Sequence, residues 1–85
     1  MTKQMNKAQE ILAKRKQDYN LTFTKESLAV VAVLEDLAKF CRAHESTFHE
    51  DPRLHAVLEG RREVWLRIQN HLQLSDDELW KLYGA

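Results

Sequence analysis

Only one proline and two glycines punctuate this 85-residue chain, and that scarcity of breakers constrains its fold more than any other feature. Turn-rich β-sandwiches and barrels need such residues at many of their connections. Helical spacing recurs in four segments, so the expected fold is all-α: a small bundle of three to four helices built on a helical hairpin. The length allows one domain, and a chain this short hides only about 60% of the surface its unfolded form exposes. A single cysteine forms no internal disulfide, so apolar burial has to hold the chain together.

The first segment, Asn6 to Tyr19, sets Met5, Ala8, Leu12 and Tyr19 near one side, with Ile11 adjacent. So narrow a stripe predicts a helix that frays or docks on something. Asn20-Leu-Thr-Phe-Thr24 is a run of poor helix formers and is expected to break it. Residues 1–23 therefore read as a basic N-terminal helix and linker, and residues 24–85 as the hairpin with a short C-terminal helix. Thr24 is the expected N-cap of the second helix. Its Leu28–Leu34 run is apolar all round, and the spacing of Val30, Val33, Leu34, Leu37, Phe40 and Cys41 carries the helix on toward His44. In the third, Asp51 is the N-cap and Pro52 takes the first helical position. Leu54, Val57, Leu58, Val64, Trp65, Ile68 and Leu72 line one face, the expected core face, while Leu66 stands alone among polar residues. Ala56 and Gly60 form a small-residue notch. The fourth opens with the capping box Ser75-Asp-Asp-Glu78 and stops at Gly84. Leu79, Leu82 and Tyr83 are expected to cover the end of the core, with Trp80 pointing elsewhere.

Thirteen basic and thirteen acidic residues cancel, but unevenly. Residues 1–25 carry Lys3, Lys7, Lys14, Arg15, Lys16 and Lys25 against Glu10 and Asp18, a net +4. Lys7, Lys14, Arg15 and Lys16 are accordingly the candidates for nucleic-acid contact. The alternative, favoured by the zero overall charge, is a first helix attracted to the acidic remainder of its own chain or of a second subunit.

Catalytic and metal chemistry lack their usual residue sets. Cys41, His44, His49 and His55 are residue types that zinc prefers, but there is no second cysteine and no C-x2-C half-site, and Cys41 falls on the apolar stripe. No orienting acid accompanies Cys41 and His44 as a nucleophile pair. Glu35-Asp36, Glu50-Asp51 and Asp76-Asp77 read as solvated or capping carboxylates. No phosphate loop, nucleophile elbow or HExxH occurs. The expectation is therefore no enzyme, no metal and no cofactor. Arg61, Arg62 and Arg67 could grip phosphate, against the plainer reading of stems lying along the core edge. The third helix makes a poor groove reader, because its main face is apolar and its outer face mixes Glu59 and Glu63 with Arg62. No apolar run approaches the length of a membrane span, and no secretory leader pattern opens the chain.

The stronger signal is surplus. Trp80, Tyr83, Leu66 and the second face of Leu28–Val33 exceed what so small a unit is expected to bury, and such surfaces mark protein interfaces. Leu66, Trp80, Tyr83, Arg61 and Arg62 are the partner-binding candidates, and association into a homo-oligomer is expected.

Phe40-Cys-Arg-Ala-His-Glu-Ser-Thr-Phe48, Asp51-Pro-Arg53, Glu59-Gly-Arg-Arg-Glu-Val-Trp-Leu-Arg-Ile68, His71-Leu72 and Leu82-Tyr-Gly84 together resemble a small protein family encoded by short-tailed bacteriophages and related prophages. The resemblance covers about residues 34–84, and Gly-Arg-Arg-x-Val-Trp is its most specific block. It brings no established catalytic or ligand-binding residues. It implies a phage accessory protein from the virion-assembly region. Taken with the apolar surplus, the leading expectation is a non-catalytic protein in the virion or the host cytoplasm that acts by protein–protein binding in particle assembly or within the virion. Two alternatives are a small protein that binds and inhibits a host enzyme, and a nucleic-acid-binding accessory that uses the basic first segment.

Overall fold

The computed structural model describes residues 5–84; Lys3 of the basic segment lies outside them. Four helices follow in order: α1 (Lys7–Thr22), α2 (Leu28–Phe40), α3 (Pro52–Gln73) and α4 (Asp76–Tyr83). The protein is all-α. The chain divides into two compact units: residues up to Phe23 together with those from Asn70 on, and Thr24–Gln69.

In the first unit, α1 opens on a capping box. The Asn6 side chain accepts from the Gln9 N–H, and the Gln9 side chain accepts from the Asn6 N–H. The helix runs three residues past the expected Tyr19, because Asn20 finds partners that offset its poor propensity: its amide donates to the Lys16 and His71 carbonyls. The expected docking of this helix occurs, on α4. Ser75 and Glu78 form the capping box read from the sequence, and the Gly84 N–H closes α4 on the Trp80 carbonyl. Leu12 and Leu79 are buried apolar residues here, and His71 is fully buried with them. Leu82, expected to cover the core, is exposed instead. In a helix this short, Leu79 takes the inward position and Leu82 falls outside it.

The second unit holds α2 and α3 up to Gln69, joined by residues 41–51, with little helix-on-helix packing between them. Thr24 is not the N-cap of α2. Its hydroxyl accepts from the Glu26 N–H in a turn, and Ser27 takes the cap position without a side-chain bond. The far end of α2 falls short of His44. The Ala43 N–H bonds the Ala38 carbonyl and the Arg42 N–H bonds the Lys39 carbonyl, the double closure of a Schellman motif. That motif needs a left-handed residue after the C-cap, and Arg42 supplies it at φ 51°.

The following loop is stitched to α3. Arg62 donates to the Arg42 and Glu45 carbonyls, both at 3.0 Å. Thr47, itself buried, donates its hydroxyl to Glu59. The His55 Nδ1–H donates to the Thr47 carbonyl at 3.0 Å. Asp51 caps α3 as the sequence predicts, accepting from the Arg53 N–H. Cys41, Leu58 and Ile68 are the buried apolar residues of this unit. The expected α3 core face is therefore only partly a core: Leu54, Val57 and Val64 remain about half exposed. Helical spacing identified the stripe, but apolar character alone does not fix burial.

Candidate functional site

The sequence candidates separate into those the fold uses and those it leaves outward. Arg61 lies over the Phe40 ring with 4.4 Å from guanidinium carbon to centroid, a cation–π contact. Arg62 holds the loop as described. The Gly-Arg-Arg block thus ties α3 to the end of α2 and the loop behind it. Tyr83 stacks on His71, with 5.3 Å between centroids. Trp80 is half-buried, and its ring lies where a Cβ on Gly84 would sit. It also borders a cleft of about 400 Å³ lined by Met5, Leu12, Ala13 and Asp76 among others. Leu66 stays exposed.

Of the four basic candidates on α1, three have partners inside their own unit. Arg15 donates from Nε to His71 Nε2 at 3.0 Å, Lys14 pairs with Asp18, and Lys16 stands 4.0 Å from Asp76. Lys7 is exposed. A guanidinium has no lone pair to offer, so the hydrogen bond to Nε2 identifies His71 as a neutral imidazole with its proton on Nδ1. Sandwiched between Tyr19 at 4.3 Å and Tyr83 at 5.3 Å, it centres the first unit. Sequence reading missed it, because Arg15 lies 56 positions away.

Cys41 is buried, His44 and His49 are exposed, and His55 is engaged by the loop. Among the described residues no three His, Cys, Asp or Glu side chains stand together as a metal-binding group, and no buried side-chain nitrogen or oxygen lacks a partner. None of the described helices is long and apolar enough to cross a membrane.

What remains outward is apolar. Every residue of α2 keeps some exposure. Leu28 is 88% exposed, Val33 53% and Phe40 56%. With Ala29, Ala32 and Asp36, all exposed, they form one stripe at helical spacing. On α3 the exposed positions Arg53, Ala56, Val57, Gly60, Val64 and Arg67 form a second. A Cβ added at Gly60 would meet nothing within 4 Å, so the notch read from the sequence is open. Isolated exposed leucines and valines are ordinary on monomers. Apolar stripes on two consecutive helices are surfaces that another protein can cover.

Residues 22–83 match the family described as Bbp19-like phage protein. No match was found among curated proteins or among solved structures.

Proposed function

The chain belongs to the Bbp19-like phage protein family, and from that premise we propose that it is a non-catalytic accessory protein that binds other proteins during assembly of the phage particle or within it. One observation carries the reading: α2 and α3 hold apolar stripes in water while the buried side-chain polar groups among the described residues are satisfied. Water is a poor solvent for such stripes, and covering them releases about 25 cal/mol for each Å² of apolar area. Binding is what this surface does best. A nucleic-acid role draws less support, because Lys14, Arg15 and Lys16 already have partners within the chain.

Quantitative mass spectrometry of purified particles tests the reading. The protein is expected at a constant number of copies per particle. Its absence from particles, combined with abundance in infected cells, would overturn the reading in favour of action on a host protein.

A further inference from the structure

We propose that the apolar stripes of residues 24–69 are covered by a second copy of this chain, with α2 of one copy lying on α3 of the other. The proposal rests on the protein-binding reading above and names its partner.

Area is the first argument. Leu28, Val33, Phe40, Val57 and Val64 are each between 48% and 88% exposed. Together they offer apolar surface on the order of 500 Å², and the exposed Ala29, Ala32, Ala56 and Gly60 between them carry the patch toward the ~800 Å² that each partner buries in an interface of standard size. Either stripe alone falls far short of that.

Symmetry is the second. A partner seated on α2 alone leaves the α3 stripe wet, and the reverse holds for a partner on α3. In a two-fold pair the α2-on-α3 contact occurs twice, so one type of contact covers both stripes of both chains.

Charge is the third. The α2 stripe and its edge carry Glu35 and Asp36 against Lys39, a net negative surface. The α3 stripe carries Arg53 and Arg67, one at each end, with Glu59 and Glu63 along its middle edge, so its positive charge sits at its two ends. Asp36 then falls within reach of an arginine whichever way α2 runs along α3. The whole chain has a formal net charge of zero at pH 7, so two copies meet without long-range repulsion. Relief fits as well: Ala56 and the open Gly60 form a notch on α3, and Leu28, Val33 and Phe40 project from α2.

Sedimentation velocity on the full chain, from about 1 to about 100 µM, spans the range of ordinary micromolar association. A dimer is expected. Val33→Glu on α2 and Gly60→Glu on α3 should each raise its dissociation constant at least tenfold while circular dichroism stays helical. Gly60→Glu serves as the folding-safe arm, because the site has open space and glycine is a poor helix former. A wild-type chain that is monomeric throughout overturns the proposal. So does a dimer that Gly60→Glu leaves unchanged, which would place the contact elsewhere. Particle mass spectrometry judges the assembly reading separately: a monomeric chain found in particles removes self-pairing alone, and a dimer missing from particles removes the assembly role alone.

Discussion

Replacing His71 with alanine tests how the first unit is held. The imidazole is fully buried, stacked between Tyr19 and Tyr83, and bonded to Arg15. Each ring contact contributes about 0.5–1.5 kcal/mol beyond its area, and a hydrogen bond to a charged group about 1.5–3 kcal/mol. The truncation also opens a cavity that the short α4 cannot collapse to fill. These contributions overlap, so a loss of about 3–4 kcal/mol is expected. Stability for a chain of this length is about 4–13 kcal/mol, so the substitution removes a large part of it. The two tryptophans permit a unit-by-unit readout in urea: Trp80 lies in the first unit and Trp65 in the second. In a Trp65→Phe background, fluorescence should show the Trp80 transition moving to much lower denaturant. His71→Phe keeps the stacking but loses the bond to Arg15, and it should fall between alanine and wild type. A shift for His71→Ala worth less than about 1 kcal/mol would refute the buried, bonded imidazole as the centre of this unit.

Three further substitutions probe local devices. Arg42→Gly should stabilise the chain by about 1 kcal/mol in thermal unfolding, because glycine adopts the left-handed conformation without the strain an arginine bears there. Arg62→Ala should lower stability by about 2 kcal/mol in denaturant titration, and Arg62→Lys should recover little, since two loop carbonyls lose a planar donor. Gly84→Ala drives a methyl group into the Trp80 ring; a lower melting temperature with altered tryptophan fluorescence is the expected outcome.

The ends of the helices were readable where side chains make local bonds. Asp51-Pro52, Ser75-x-x-Glu78 and Gly84 act within four residues of themselves, and each does what its chemistry predicts. Asn6-x-x-Gln9 carries the same local signal at the start of α1. Thr24 misled because Ser27, three residues on, competes for the same cap. The hydrophobic period located the helices but not their buried sides. Leu54 and Leu58 sit on one apolar stripe of α3, yet only Leu58 is buried. His71 was invisible for a related reason, since its partners Arg15 and Tyr19 reach it across half the chain. The partners of Arg61 and Arg62 within the chain, a ring and two backbone carbonyls, leave no trace in residue spacing.

The central claim is that the outward apolar stripes meet protein. Photo-crosslinking during infection tests it most directly, with benzoylphenylalanine placed at Val33 and, as a control, at the exposed polar Gln17 of α1. The Val33 position should yield discrete protein adducts, the doubled chain among them, that the Gln17 position lacks. Equal background labelling at both positions, or adducts to nucleic acid alone, would contradict the account.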